Sequence, residues 1–246
     1  MDRGLYVAMT GAKQIMQAQA VNNNNIANAD TTGFRADAVS FTSEPIYGPG
    51  YATRVNAVAG DAGIDFSSGV MVSSGNPLDI AVNGKGFIAV QGADGKEAYT
   101  RAGNLHVTES GSVLTATGLP VLSETGPLQI PPATHITIGS DGTVSVVPLG
   151  LAASAQSQID RVKLVNPQTK DLQKGADGLL RLRSGGTAPT DESVTVSSGV
   201  LESSNVNPAV SLVNMIELQR LYELQIKSLN STDTNEQSAE RLMLTS

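Results

Sequence analysis

Glycine and proline are distributed unevenly along this chain of 246 residues, and their distribution restricts what each part can fold into. Residues 1–34 contain three glycines, Gly4, Gly11 and Gly33, and no proline. Neither residue type occurs again after Pro208. Nearly all the others lie between these ends, in residues 35–206. Because both residue types weaken helices and favour turns, the chain is predicted to have two helical ends around a central β region.

The N-terminal segment has apolar residues at helical spacing and is predicted to form an amphipathic helix of roughly 25 residues. One apolar arc contains Leu5, Ala8, Met9, Ala12, Ile15, Met16, Ile26 and Ala27. The asparagine run at 22–25, followed by Asn28, is unfavourable in a helix because Asn side chains compete for backbone hydrogen bonds. Two interpretations stay open: a frayed, solvated helix end, or an asparagine ladder that bonds to neighbouring helices and sets their register.

Asn207 and Pro208 predict the start of a second helix, as its N-cap and first helical residue. This helix is expected to run to near the C-terminus and to loosen around residues 230–233. Its apolar residues lie on two arcs, one with Leu212, Met215, Leu218, Tyr222, Ile226 and Leu229, the other with Val210, Val213, Leu221 and Leu224. Since one partner helix covers only one arc, the helix is expected inside a larger assembly.

The central region contains short runs of Val, Ile and Leu separated by turn residues, which indicates antiparallel β structure. Strands are expected at 79–82, 87–90, 106–108, 112–115, 136–138, 143–147, 162–165 and 179–182. The pattern Gly-x-Asp-Gly occurs at 92–95, 139–142 and 175–178, and Asp-Gly supplies the positive φ angles of tight turns. A sandwich or barrel is therefore predicted.

The composition offers little for catalysis or for cofactor binding. The chain has no cysteine, no tryptophan, five tyrosines and four phenylalanines, so thiolate chemistry is excluded and aromatic platforms are scarce. His106 and His135 each stand alone, and NGKG at 83–86 lacks the residues of a phosphate-binding loop. A net charge of −7 argues against nucleic acid as a partner. The sequence predicts no enzyme, no cofactor, no small-molecule substrate and no metal site.

Several motifs resemble those of the bacterial flagellar rod and hook family. Near the N-terminus this is NNIANADTTGFR at residues 24–35, and in the centre SGNPLD at 74–79, GKGF at 84–87 and YTRAG at 99–103. Near the C-terminus it is GVLESSNVN at 199–207, followed by Met215, Ile216, Arg220, Tyr222 and Glu223. The motifs follow the family's order along nearly the whole chain, and the opening residues and the length favour a proximal rod subunit.

The resemblance implies a structural subunit of the proximal rod that polymerises through its terminal helices into the drive shaft that transmits torque. It implies an α+β fold, in which the terminal helices pair as a coiled coil and a central antiparallel β domain lies between them in sequence. The implied boundaries are an N-terminal helix at 1–34, an extended linker at 35–70, the β domain at 71–196, a return linker at 197–207 and a C-terminal helix at 208–246.

The resemblance also implies partners and a location. The partners are copies of the chain, other rod proteins of the proximal and distal rod, and the flagellar type III export apparatus. The location is the rod of the basal body in the periplasm, reached without a cleaved signal peptide. The apolar run at the N-terminus is too short for a secretory signal, which agrees with that route.

The residue pattern and the resemblance together indicate which residues lie at subunit interfaces. They are Leu5, Met9, Ala12, Met16, Asn23, Asn24, Asn25, Ile26 and Asn28 on the first helix, and Leu212, Met215, Ile216, Leu218, Tyr222, Ile226 and Leu229 on the second. Linker or hinge positions are expected at Gly33, Phe34, Gly199, Asn205 and Asn207. For Gly33 two interpretations are equally open: a chain exit with Phe34 anchored on a neighbour, or an ordinary helix C-cap.

Two alternatives to the proximal rod subunit remain. A distal rod subunit of the same family is the close alternative, and the choice between the two rests on a handful of N-terminal residues of this sequence. A carbohydrate- or peptidoglycan-binding β module with helical flanks is the alternative from another class, and it is expected to show exposed aromatic platforms or a pair of carboxylates.

Overall fold

The computed structural model describes residues 3–45, 55–59, 63–150 and 156–244. The chain divides into two compact units, each built from segments that are distant in sequence. The helical unit contains the described parts of 1–29, 36–65 and 206–246, and the β unit contains 30–35 and the described parts of 66–205.

Two long helices dominate the helical unit. They are α1 (Arg3–Ala27) and α2 (Pro208–Leu244). Asn22, near the end of α1, bonds to Ser211 near the start of α2, whereas Gly11 faces Gln225 further along α2. The two helices therefore run antiparallel and contact one another.

The start of α2 agrees with the prediction. Asn207 Oδ1 accepts hydrogen bonds from the N–H groups of Ala209 at 3.0 Å and Val210 at 3.3 Å, as an N-cap does. Pro208 occupies the first helical position, where a missing N–H costs no hydrogen bond.

The predicted loosening of α2 around residues 230–233 is wrong, because the helix is continuous through this segment. The hydroxyls of Thr232 and Thr234 donate to the carbonyls of Ser228 and Asn230, one turn earlier. These polar side chains bond to the helix itself rather than to alternative turns, so they do not interrupt it.

Two short antiparallel pairs complete the helical unit. β1 (Asp37–Ala38) pairs with β4 (Gly63–Ile64), and β2 (Phe41–Pro45) pairs with β3 (Val55–Ala59). Where the resemblance implies an extended linker over 35–70, the described chain is extended but also paired with itself. Residues 46–54 and 60–62 of that expected linker lie outside the described residues.

The β unit consists of short strands joined by turns. In chain order they are β5 (Met71–Ser73), β6 (Ile80–Asn83), β7 (Phe87–Gln91), β8 (Glu97–Thr100), β9 (Leu105–Val107), β10 (Val113–Thr115), β11 (Ala133–Ile138), β12 (Thr143–Pro148), β13 (Ser157–Arg161), β14 (Leu164–Val165), β15 (Leu172–Lys174), β16 (Leu180–Leu182), β17 (Thr195–Ser198) and β18 (Val200–Glu202). The pairs among these strands are antiparallel. The predicted order of helix, antiparallel β region and helix is confirmed.

A five-stranded sheet in the order β14-β7-β8-β16-β15 and a three-stranded sheet in the order β11-β12-β13 are the largest sheets of the unit. β17 pairs with β6 and β18 pairs with β5, so the last strands return to the first. β5, β8, β13, β15, β17 and β18 are absent from the sequence prediction. Segments such as EAYT in β8 and TVSS in β17 lack the runs of Val, Ile and Leu on which that prediction depends.

Small aliphatic side chains fill the core of the β unit. Ile80, Val82, Ile88, Val90, Val121, Val144, Val146, Val162 and Leu164 are fully excluded from solvent. The Tyr99 ring is buried too, and its hydroxyl accepts the N–H of Ala188 at 2.6 Å and donates to Glu97 Oε1 at 3.0 Å. Burial raises the pKa of Tyr99 above its usual value, so the hydroxyl keeps its proton as a donor.

The three Gly-x-Asp-Gly segments form tight turns, as predicted. In each turn the aspartate accepts the N–H two residues further on: Asp94 from Lys96, Asp141 from Thr143 and Asp177 from Leu179. The final glycines have φ angles of 74°, 85° and 79°. Hydrogen bonds from Lys96, Thr143 and Arg181, respectively, lower the pKa of the three carboxyls below the usual range.

The glycine of the YTRAG motif lies directly against the backbone of β6, which makes it a test of the packing. Ile80 N–H donates to Gly103 O at 2.9 Å, and a Cβ on Gly103 would lie 1.7 Å from Ile80 O. Because the backbone must shift to admit this atom, Gly103→Ala is expected to lower the free energy of unfolding by about 1–3 kcal/mol. Denaturant unfolding of the purified chain measures the change.

Gly186→Ala is the matched control for this substitution, since a Cβ there meets only Ser184 Oγ at 3.7 Å. An equal loss of stability in both variants would contradict the explanation by backbone contact.

Candidate functional site

The face of α1 that packs inward is made of small side chains. Ala8, Ala12 and Ala18 are buried, and a Cβ on Gly11 would lie 2.3 Å from Gln225 Nε2 on α2. Residues this small allow the backbones of two helices to approach closely.

The large residues of the predicted α1 interface are divided between two faces. Leu5 and Ile26 are half-buried, whereas Met9 and Met16 are more than half exposed, together with Tyr6. The buried face is therefore rotated towards the alanines, away from the centre of the apolar arc seen in the sequence. The two methionines are left pointing outwards, and their flexible side chains suit an adaptable contact surface.

The two arcs of α2 have different surroundings. Met215, Leu218, Tyr222, Ile226 and Leu229 are half-buried, as expected of a stripe that faces a partner helix. Val210, Val213, Leu221 and Leu224 are between 50% and 59% exposed, and these four residues are called the outer face below. Leu212 and Ile216, which the sequence placed at the interface, are exposed as well. A large part of the apolar surface of α2 is thus uncovered within the helical unit.

The asparagine run holds the end of α1 in place. Buried Asn25 donates from Nδ2 to Asp37 O at 2.8 Å, and its Oδ1 accepts Asp37 N–H at 2.9 Å, so one side chain pairs with both backbone groups of Asp37, the first residue of β1. Asn22 Nδ2 donates to Ser211 O at 2.8 Å. The frayed helix end is therefore wrong, and a bond from this run to α2 is made by Asn22.

The other asparagines of the run have different positions. Asn23 and Asn24 are exposed, and Asn28 Nδ2 donates back to Asn24 O at 2.9 Å, just after the helix ends. A ladder across the helices is thus not formed by every member, because successive residues of a helix point in directions about 100° apart.

Gly33 and Phe34 belong to the β unit, and the helix C-cap interpretation of Gly33 is wrong because α1 ends at Ala27. Gly33 has a φ angle of 68°, and its N–H donates to Glu202 O at 2.8 Å. A Cβ there would lie 2.2 Å from the carbonyl carbon of Arg101. The Lys174 ammonium lies 3.9 Å from the centre of the Phe34 ring, so Phe34 is anchored within its own chain.

The residues expected at the return linker also have defined roles. Gly199 has a φ angle of 75°, and its N–H donates to Asp79 O at 2.8 Å. Asn205 Nδ2 donates to Ser67 O at 3.2 Å, and Asn205 N–H donates to Phe34 O at 3.4 Å. The segments at 30–35 and 201–205 therefore lie side by side in the β unit.

A buried cluster of charges joins these segments, and the sequence analysis missed it. Glu202 is fully excluded from solvent; its Oε1 accepts Arg35 Nη2 at 2.6 Å and Gly69 N–H at 2.9 Å, and its Oε2 accepts Arg101 Nη1 at 2.9 Å. These three side chains, Arg35, Arg101 and Glu202, are called the charge cluster. The sequence did contain a signal for this cluster, because Arg35, Arg101 and Glu202 each lie in one of the motifs that resemble the rod and hook family.

Arg101 extends the charge cluster to the turn after β6. Its guanidinium donates to Val82 O at 3.2 Å and to Gly84 O at 2.6 Å, and lies 5.2 Å from the centre of the Phe87 ring. Burial lowers the pKa of Arg101, and the Glu202 carboxylate opposes that change. The NGKG segment is thus a turn whose carbonyl binds an arginine.

Within the described residues, no group of three or more His, Cys, Asp and Glu side chains is placed to hold a metal ion. In the same part of the chain, no helix combines the length and the apolar character required to cross a membrane.

Three family profiles match the chain in sequence order. Residues 5–35 match the flagella basal body rod protein family, residues 81–146 match the D1 domain of flagellar hook protein FlgE/F/G, and residues 197–242 match the C-terminal region of the flagellar basal body rod FlgEFG proteins. The flagellar basal-body rod protein FlgF of Salmonella typhimurium is 39% identical over 249 residues, covering 99% of both chains. This chain belongs to the family of flagellar basal-body rod proteins.

Other relatives place the chain within the family. FlgF of Caulobacter vibrioides is 35% identical over 98% of both chains, and FlgG of Bacillus subtilis is 32% identical over 95% of this chain and 96% of its own. These identities favour FlgF over FlgG, and the predicted rod and hook family is confirmed. The chain is a structural subunit of the basal-body rod and not an enzyme, so the carbohydrate-binding alternative is not supported.

The pairing of Asn25 with Asp37 can be tested by substitution. Asn25→Ala removes the two hydrogen bonds that the Asn25 amide makes with the backbone of Asp37, so we expect a loss of about 1–3 kcal/mol in the free energy of local opening. Hydrogen exchange at the Asp37 amide reports this opening directly.

Asn23→Ala is the control, because Asn23 occupies the same helix but is exposed. Faster exchange at Asp37 in the Asn23 variant, or unchanged exchange in the Asn25 variant, would refute the role given to the Asn25 side chain.

Proposed function

We propose that this chain is a subunit of the proximal rod that polymerises, through its terminal helices, with copies of itself and with other rod proteins. The observation that carries the proposal is the outer face of α2, which is apolar, exposed and not covered by α1. Large exposed apolar patches are typical of interaction sites rather than of the free surface of a monomer.

In the proposed assembly, α1 and α2 pair as a coiled coil and neighbouring subunits cover what the pair leaves exposed. The outward Met9 and Met16, with Leu212 and Ile216 on α2, are the predicted interface residues whose exposure supports this role. Ala12, Leu218 and Tyr222 are buried or half-buried in the helical unit, so their proposed contribution to the interface is to fix the shape of the helix pair.

Charges on α2 supply a means of aligning neighbours. Glu217, Arg220, Glu223 and Lys227 alternate in sign along the helix and, with Leu221 and Leu224, line a depression of about 510 Å³. Alternating charges beside an apolar face favour one register of packing over others, because a shift brings like charges together.

The division of the chain into a helix at 1–34, a linker at 35–70, a β domain at 71–196, a return linker at 197–207 and a helix at 208–246 is part of the same proposal. We further propose that the subunit is exported through the flagellar type III apparatus without cleavage and assembles in the periplasm. Torque would then pass along the rod through many helix contacts, each weak, summed over the assembly.

The outer face gives a direct test of polymerisation. Leu224→Asp introduces a charge that assembly would bury without a partner, so we expect loss of incorporation into the rod and loss of swimming. Since Leu224 is 59% exposed in the subunit, the free energy of unfolding of the purified chain should change by no more than about 0.5 kcal/mol. Basal bodies from a complemented deletion strain measure incorporation.

Gln219→Asp is the matched control, because it adds the same charge to α2 at an exposed polar position that points about 140° away from Leu224 around the helix. Normal incorporation of the Leu224 variant, at exported amounts equal to those of the parent, would contradict the proposed interface.

The position in the rod requires a separate experiment. Electron microscopy of basal bodies from a strain that lacks this chain is expected to show loss of the rod just above the membrane ring. Loss of only the outer segment, with the inner segment intact, would instead indicate a distal rod subunit.

A further inference from the structure

The charge cluster occupies a place where three distant parts of the chain meet inside the β unit. Arg35 and Glu202 are 167 residues apart in sequence, and Arg101 is 101 residues from Glu202. The Glu202 side chain also accepts Gly69 N–H, while its backbone carbonyl accepts Gly33 N–H at 2.8 Å. Glu202 therefore joins its own segment, residues 201–205, to residues 30–35, to Gly69 and to Arg101, which follows β8.

The cluster holds two positive side chains and one negative one, in a place that solvent does not reach. Arg35 and Arg101 are each 4% exposed, and Glu202 is not exposed at all. Nε and Nη1 of Arg35 and Nε of Arg101 find no hydrogen-bond partner among the described residues. Removing the carboxylate would leave two buried positive charges without compensation, which is far more costly than losing an exposed ion pair.

We propose that Glu202 couples the ordering of residues 30–35 to the ordering of residues 201–205. This coupling through the charge cluster is called the latch below. Residues 30–35 are held by the Arg35–Glu202 pair and by the bond from Lys174 Nζ to Arg35 O at 2.8 Å. Residues 201–205 are held by the Arg101–Glu202 pair and by the bond from Ser203 N–H to Val70 O at 2.9 Å. Because both sets of contacts depend on the same carboxylate, opening one segment weakens the other.

The latch has a consequence for how the chain folds. The cluster joins residues that are 167 and 101 positions apart in sequence, so it forms only when distant parts of the chain come together. Its formation therefore has a larger loop-closure cost than that of the turns, which form from neighbouring residues. This inference concerns the isolated chain and does not depend on polymerisation into the rod.

Hydrogen exchange on the full chain, resolved by residue, tests the latch. Glu202→Gln keeps the shape of the side chain but removes its charge, and we expect exchange to rise roughly 100-fold at Gly33 and Ser203. The amides of Val121 and Leu128, which bond within the β core, should keep their protection.

Arg35→Met is the deciding variant, because it leaves the Arg101–Glu202 pair balanced and is expected to keep the fold. The latch predicts faster exchange at Ser203 as well as at Gly33, although Ser203 bonds to Val70 and not to residues 30–35. Faster exchange at Gly33 alone would overturn the proposal, since the two segments would then be independent. General loss of protection that includes Val121 would also overturn it, because the latch would not be separable from the core.

Arg181→Met serves as the charge-matched control. Arg181 pairs with Asp94 and Asp177 at the surface of the same unit. Its removal is expected to leave exchange at Gly33 and Ser203 unchanged, and an effect equal to that of Arg35→Met would overturn the assignment to the cluster.

Discussion

The carboxylate of Glu202 is the contact on which the organisation of the β unit depends, because it joins the end of the unit's last strand, β18, to Arg35 and Gly69, which precede its first strand, β5. It accepts hydrogen bonds from Arg35, Gly69 and Arg101 in a place closed to solvent. A buried ion pair of this kind contributes little net stability compared with apolar side chains in the same place. Removing one of its charges, however, is strongly destabilising. We therefore expect it to favour one arrangement of the segments over others, more than it adds to overall stability.

The helical unit follows a different physical rule, in which size decides what is buried. Alanines and Gly11 form the face of α1 that packs inward, while Met9 and Met16 remain exposed. On α2, one apolar arc is half-buried and the outer face is not covered. A unit that buried all its large apolar side chains would have a larger apolar core of its own. This one leaves apolar surface available, which agrees with membership of a family of rod subunits.

Sequence reasoning predicted the parts of the fold that depend on neighbouring residues. Asn207 and Pro208 marked the start of α2, and the three Gly-x-Asp-Gly segments marked turns, since both signals act over a few residues. It failed where distant contacts decide. The strands TVSS and VLE are stable because they pair with β6 and β5, and nothing in their own composition predicts that pairing. The asparagine run was recognised as unusual, but which member is buried depended on the position of β1.

By itself, the sequence determined the order of helix, β region and helix, the poverty of groups for catalysis, and the two apolar arcs of α2. Periodicity, caps and turn residues express local preferences, which need no knowledge of the rest of the chain. Only the tertiary structure decided that Arg35, Arg101 and Glu202 form one cluster, and that the outer face of α2 stays exposed. The reason is that the free energy of a charge or an apolar side chain depends on what surrounds it, and those surroundings are supplied by residues far away in sequence.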